Sequence, residues 1–175
     1  MKFRFVFLAT VLALFLTACV KFPVDEDAVL NVRLTDAPTE LDSVFVDIKE
    51  VNLKVVKGEA DTASGDGWIK LNTNVGIYDL LSLQNGVDTL LATGPVPVGY
   101  IKEIRLVLGK NNRVVDTSGI SHMLTIPSGS ESGLKIKLNK QLQATVQTVL
   151  LDFDAALSIQ NEEDGYKLRP VIKIK

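Results

Sequence analysis

The stretch Ala28-Val29-Leu30-Asn31-Val32-Arg33-Leu34-Thr35, followed by Val44-Phe45-Val46-Asp47-Ile48-Lys49-Glu50-Val51-Asn52-Leu53-Lys54-Val55, decides the fold. In the first segment Ala28, Leu30, Val32 and Leu34 alternate with more polar neighbours, the period-two pattern of a strand with one buried face. In the second, Val44, Val46 and Ile48 alternate, and then Val51, Leu53 and Val55 alternate in the opposite phase. A one-residue change of phase inside an otherwise regular strand predicts a β-bulge near Lys49-Glu50.

Working outward, the same short alternating pattern recurs. Residues 68–72 and 77–83 read as strands around a polar turn, and Gln84-Asn85-Gly86 is a turn because Asn-Gly accepts positive φ. Residues 89–92 suit a strand or one helical turn, and Gly94-Pro95 with Pro97-Val98-Gly99 breaks the chain before a strand at 100–108. Further strands are expected at 113–116, 123–126 and 134–138, the last with Lys135, Lys137 and Asn139 on one solvated face. Residues 145–153 form the most apolar strand, and 166–175 closes the chain after a polar turn at 161–165. The stretch 58–67, rich in Gly, Asp, Ser and Thr, is expected to be a mobile loop. About nine or ten short strands with turns between them predict an all-β fold, a single antiparallel β-sandwich with Greek-key character. No segment sustains a 3.6-residue period, and no fixed repeat points to a propeller or solenoid.

The N-terminus is of another kind. Lys2 and Arg4 precede an uncharged apolar run over residues 5–16, and Leu16-Thr17-Ala18 leads into Cys19, the only cysteine. Charge, apolar length, small residues and the adjoining Cys together resemble a bacterial lipoprotein signal with its lipobox. That resemblance implies cleavage after Ala18 and acylation of Cys19. A transmembrane helix needs about 20 apolar residues, and the run is shorter. Stable anchoring takes more than one acyl chain, which a multiply acylated Cys19 provides. The expected organisation is a signal peptide at 1–18, a lipidated N-terminus and short tether at 19–27, and a β-sandwich at 28–175. The tether reaches at most about 25 Å when extended, so the domain rides close to the membrane. Val20 after Cys19, in place of the Asp that favours inner-membrane retention in enteric-type bacteria, favours the outer membrane.

Removing the first 18 residues leaves 157 and takes the net charge from −2 to −4. This mild acidity, with no basic run interleaved with aromatics, argues against nucleic-acid binding. A domain of this size buries a real core, and with no second cysteine it stands on packing alone.

Ordered blocks carry a family resemblance. They are Leu34-Thr35-Asp36-Ala37-Pro38, Val46-Asp47-Ile48-Lys49-Glu50-Val51, Tyr78-Asp79-Leu80-Leu81-Ser82-Leu83-Gln84-Asn85-Gly86 and Ile104-Arg105-Leu106-Val107-Leu108. Pro127-Ser128-Gly129, Gly133-Leu134-Lys135-Ile136, Leu151-Asp152-Phe153-Asp154-Ala155 and Lys167-Leu168-Arg169-Pro170-Val171-Ile172 follow. Over about residues 28–174 the chain resembles the bacterial lipoproteins catalogued as domain of unknown function 4382. The resemblance implies an exported, usually lipid-anchored β-domain with no established activity, and it brings no catalytic residues.

Few residues offer chemistry. His122 is the single histidine, so a Ser-His-Asp triad would have to use it, yet no Gly-x-Ser-x-Gly elbow accompanies it. One histidine and a lipidated cysteine do not make a zinc site. Ser132-Gly133-Leu134-Lys135 matches Ser-x-x-Lys in form, without the companion motifs and on a strand-like stretch. Asp152 and Asp154, two apart on one strand, emerge on the same face, and Asp36 at the end of the first strand can join them. Three carboxylates with loop carbonyls suit Ca²⁺, the one cofactor these residues point to. Set against it, Asp36 in Thr35-Asp36-Ala37-Pro38 caps a turn, and Asp152 or Asp154 pairs with a basic neighbour such as Arg105 or Arg169. Trp68, beside the 58–67 loop, is the candidate for stacking on a sugar. The expected function is a non-catalytic binding or structural module, lipid-anchored in the bacterial envelope, with a carbohydrate or protein ligand. The alternative is an accessory domain with weak hydrolase activity on an envelope or extracellular polymer.

Overall fold

The computed structural model describes residues 27–37, 39, 41–61, 67–127 and 133–175. Ala18, Cys19 and the rest of the expected signal and tether up to residue 26 lie outside the described residues, as does Ser132. Among the described residues the first strands are β1 (Asp27–Asp36), β2 (Ser43–Val56), β3 (Trp68–Lys70), β4 (Asn72–Thr73) and β5 (Gly76–Asp79). After a 3-10 turn at Leu80–Leu83 come β6 (Thr89–Pro97), β7 (Gly99–Leu108), β8 (Arg113–Val115), β9 (Ser121–Met123), β10 (Leu134–Leu142) and β11 (Val146–Phe153). A single helical turn, α1 (Ala155–Ser158), leads to β12 (Ile159–Glu162), β13 (Gly165–Leu168) and β14 (Ile172–Ile174).

These strands form the expected sandwich. The first sheet has the order β14-β11-β1-β6-β4; the second has β10-β7-β2-β8-β9, with β3 and β5 also on β2, and β12-β13 is a separate hairpin. β1 and β2 come first in the chain yet sit inside their sheets, flanked by strands that arrive later, which gives the Greek-key character. Among the described strands, pairing is antiparallel except between β1 and β11, which run parallel from Val29 opposite Val146 to Asp36 opposite Phe153, apart from an isolated parallel bridge of Thr125 to Lys167. A parallel pair needs a long crossover, and here the whole second sheet lies between the two strands in sequence.

The inner faces are the ones the alternation marks. Leu30, Val32 and Leu34 of β1, Val46, Ile48, Val51 and Leu53 of β2, Ile101, Ile104 and Leu106 of β7, and Leu151 and Phe153 of β11 are fully buried. Each such side chain contributes about 1.5–3 kcal/mol on leaving water. The bulge falls where the phase change predicts it: the β2–β7 register passes from Ile48 opposite Leu108 to Glu50 opposite Val107, so Lys49 is the extra residue.

Other boundaries differ for identifiable reasons. The strand expected at 77–83 ends at Asp79, whose carboxylate caps Leu81 N–H at 3.2 Å and starts the 3-10 turn. That turn buries Leu80 and Leu83 at one end of the sandwich. Asn85 and Gly86 take φ of 56° and 84°, the successive positive values that an Asn-Gly turn supplies. β6 runs on through Pro95 and Pro97 to pair with Val29 and Asp27. Among the described residues its other edge has no strand partner beyond Thr93, so a missing N–H is tolerated there. The start of the 58–67 loop is tied down: Glu59 carbonyl oxygen accepts from Lys102 Nζ at 2.5 Å, and its carboxylate from Asn139 at 3.0 Å. Residues 62–66 lie outside the described residues.

Just before the bulge, Asp47 is fully buried in a polar knot. Its backbone N–H donates to Asn112 Oδ1 at 2.9 Å, its carbonyl accepts from Gly109 N–H at 2.6 Å, and Oδ2 accepts from Asn111. Lys49 Nζ lies 2.8 Å from Oδ1. Gly109 is required by contact: a Cβ there would overlap the Asp47 carboxylate and press on the Lys49 side chain. Gly109→Ala is therefore expected to cost about 1–3 kcal/mol, the range for forcing extra atoms into a packed site, read as a lower denaturation midpoint. Gly67→Ala, where among the described residues no atom beyond its chain neighbours stands within 4 Å of the new Cβ, should stay within about 0.5 kcal/mol of wild type. Equal effects of the two would refute the contact reading.

Candidate functional site

Two clusters hold the residues singled out from the sequence. The first is at the end of the first sheet, where β1 and β11 finish side by side. Asp36 sits opposite Phe153, and Asp152 sits opposite Thr35 on one side and Lys173 on the other. Asp36 is 4% exposed; Oδ1 accepts from Ala155 N–H at 3.0 Å and Oδ2 from Gln84 Nε2 at 3.1 Å. Burial pushes its carboxyl above the usual carboxylate range, and repulsion from Asp152 adds to this. Donors on Ala155, Gln84 and Ala37 pull it back. Asp36 therefore ties the end of β1 to the start of α1 and to the Asn85-Gly86 turn.

Its two companions are also engaged. Asp152 Oδ2 lies 3.0 Å from Lys175 Nζ, while among the described residues its buried Oδ1 has no hydrogen-bond partner. Asp154 caps α1, accepting from Leu157 N–H at 3.1 Å, and lies 3.7 Å from Lys173 Nζ. The fold thus brings Asp36 and Asp152 close enough to repel, and sets Asp154 one residue past the strand end to start a helix. The ion-pair partners are the lysines of the C-terminal strand, not Arg105 or Arg169; Arg169 pairs with Glu162 at 2.9 Å. Among the described residues no group of three or more His, Cys, Asp or Glu is placed to hold a metal ion.

His122 is on β9, with Nε2 2.8 Å from Asp116 Oδ2 and its ring 4.6 Å from that of Tyr166. The hydrogen bond from His122 holds the Asp116 carboxyl below its ordinary range, helped by Ile120 and Ser118 N–H groups. Lys135, the last residue of the Ser-x-x-Lys match, is exposed on β10.

The second cluster is on the outer face of the second sheet. Two rows cross it in register: Trp68, Lys54, Glu103 and Lys137, then Lys70, Asn52, Arg105 and Lys135, from β3 through β2 and β7 to β10. The half-buried Trp68 ring reaches diagonally over β2, with the Arg105 guanidinium carbon 3.8 Å from its centroid. Lys54, 3% exposed, has its Nζ 5.7 Å from the same ring. Stacked cations of this kind contribute about 0.5–2 kcal/mol. Among the described residues, Arg105 Nε and Glu103 Oε1 are buried without a hydrogen-bond partner. Lys102 braces the upper edge, donating to Asn139 Oδ1 at 2.6 Å and lying 5.6 Å from the Tyr100 ring centroid.

Trp68, singled out from the sequence for stacking on a sugar, has the Arg105 guanidinium against its ring. Sequence reasoning missed Arg105, Lys54 and Glu103 as its neighbours, since strand pairing alone brings residues so far apart in the chain together. One signal was available: Leu134-Lys135-Ile136-Lys137-Leu138-Asn139-Lys140 has cations and no acid on its polar positions.

The family model for the domain of unknown function DUF4382 matches residues 27–170. The chain belongs to this family. Comparison with curated proteins and with solved structures gave no match.

The Asp36 geometry has a signed consequence. With its folded pKa raised, the native state holds the Asp36 proton more tightly than the unfolded chain does. Its contribution favours the fold below the ordinary carboxylate value of about 3.9 and is lost as pH rises through the raised value. Asp36→Asn should therefore gain in Tm relative to wild type as pH goes from 4 to 7, and a relative fall over that interval would contradict the assignment. Asp36→Ala, which orphans the Ala155 N–H, should cost about 1–3 kcal/mol in denaturant unfolding.

Proposed function

We propose that this protein is a lipid-anchored module of the bacterial envelope that binds its ligand without turning it over. The observation that carries the binding half is the outer face of the second sheet, where Trp68 lies against Arg105 beside an exposed row of lysines. Aromatic rings and charged side chains held by strand pairing form a surface rather than a reaction centre. His122, which a hydrolase reading would rely on, bonds Asp116 and has its ring tilted at 36° against that of Tyr166. The carboxylates at the other end bond to backbone N–H groups, Gln84 and lysines.

The anchoring half rests on Leu16-Thr17-Ala18-Cys19 and the short tether that follows. An acylated Cys19 holds the domain at a membrane, with the outer membrane favoured by Val20. Eight residues lie between Cys19 and Ala28, the second residue of β1, so the sandwich stays within a few nanometres of the bilayer.

Both halves have direct tests. Cys19→Ala should lose incorporation of labelled palmitate and leave the membrane fraction; a variant that still takes up label would refute the lipobox. Full-length protein in detergent should co-sediment with an insoluble envelope polysaccharide and leave the polymer length and its reducing ends unchanged. Turnover abolished by His122→Ala would establish the accessory-hydrolase alternative in its place.

A further inference from the structure

The distribution of ion pairs distinguishes the first sheet, and the β2–β3 part of the second where Lys70 pairs with Glu50, from strands β7 and β10. On the first sheet and its margin, cations are matched: Arg33 with Asp88, Lys175 with Asp152, Lys173 with Asp154, and Lys167 and Arg169 with Glu162. On β7 and β10 they are not. β10 carries Lys135 and Lys137 on this face and no acidic residue along its length, and β7 adds Lys102 and Arg105 against the single Glu103. Among the described residues no carboxylate stands within ion-pair distance of Arg105, Lys135, Lys137 or Lys140. This excess of positive charge sits in a chain whose net charge is −2.

Lysines on an edge strand also deter unwanted strand pairing, and β10 is an edge. Arg105 is not explained that way. It lies one strand in, on β7, with β2 on one side and β10 on the other. Its guanidinium is held against Trp68, and among the described residues its buried Nε has no hydrogen-bond partner. A guanidinium fixed on an aromatic ring keeps a planar fork suited to a carboxylate and loses little freedom on binding one. Lys135 is directly across from it, and Lys137 follows on the same face about 6.7 Å further along the strand. Three cations at strand spacing beside a half-exposed ring fit a linear chain that carries a carboxylate on each unit and presents an apolar sugar face to the aromatic.

We infer that the outer face of β7 and β10, with Arg105, Lys135, Lys137 and Trp68, is a docking surface for a carboxylated polysaccharide, a polyuronate. This inference rests on the reading of the protein as a non-catalytic binding module and names its ligand class. Arg105 and the two lysines take the carboxylates. Trp68 both positions Arg105 and offers its exposed edge to the sugar ring. Glu103, between Lys54 and Lys137 in its row, sets a limit on how deep an anion can sit and disfavours small mobile anions at that spot.

The test uses full-length protein in non-ionic detergent, titrated at low ionic strength with polygalacturonate oligomers and, in parallel, with neutral dextran. Polygalacturonate should bind and dextran should not. Lys135→Glu/Lys137→Glu, two exposed positions, should weaken binding at least about tenfold, as should Arg105→Gln, while Lys110→Glu in the β7–β8 turn stays within about twofold. Added salt should weaken wild type more than the double variant. The inference is overturned if the double variant binds like wild type, or if polygalacturonate does not bind at all. It is also overturned if dextran sulfate or single-stranded DNA binds as tightly as polygalacturonate, because the face is then a general polyanion surface. Dextran binding alone overturns the uronate assignment but leaves the binding-module reading standing. Shortening of the polygalacturonate chains does the reverse, removing the non-catalytic reading while the docking surface remains.

Discussion

The one-residue bulge at Lys49 is the constraint on which the second sheet depends. β2 is the longest strand and pairs along both edges, with β7 and β8 on one side and β3 and β5 on the other. Side chains alternate with a period of two, so a strand carrying Val44, Val46 and Ile48 in one phase and Val51 and Leu53 in the other cannot bury both sets without an extra residue. The bulge puts all five into the core. It also decides what faces outward, turning Asn52 and Lys54 to the face that Trp68 covers. Asp47, Gly109 and Asn112 close the gap that the bulge opens between β7 and β8. Packing and proposed site are therefore two results of one register.

The two ends and faces of the sandwich treat charge differently. At the end built around Asp36, carboxylates are buried and their oxygens mostly used, so their role is to hold β1, α1 and the Asn85-Gly86 turn together. A buried carboxylate satisfied by backbone donors fixes geometry at some energetic cost, because burial opposes its ionisation. On the outer face of the second sheet the cations are exposed or stacked on Trp68, and surface pairs would contribute little to stability in any case. Charge that does little for the fold is free to serve recognition, and sandwich architecture by itself implies no particular ligand.

Much of this was legible in the residues. Alternation in 28–35 and 43–57 contained β1, β2, the bulge and the core, because a period-two pattern and its change of phase follow from side-chain geometry alone. The Asn85-Gly86 turn was legible for the same reason. What could not be read was long-range pairing. The parallel match of β1 with β11 is set by burial across the whole chain. The choice of Lys173 and Lys175 as partners for Asp154 and Asp152 depends on β14 pairing with β11. The split of 77–83 into β5 and a 3-10 turn came from the Asp79 cap combined with the need to plug the core with Leu80 and Leu83. At the candidate site, Trp68 and the lysine row of β10 were visible separately. Their meeting through Arg105 required the β3–β2–β7–β10 order.

Lysine footprinting reads the central claim most directly, because the proposed site is defined by which ammonium groups a ligand covers. Full-length protein would be acetylated with and without polygalacturonate, and modification followed lysine by lysine. The account predicts protection of Lys135 and Lys137, with Lys110 and Lys167 reacting as in the free protein. Protection confined to Lys173 and Lys175 would move the ligand to the carboxylate end of the sandwich and contradict the account.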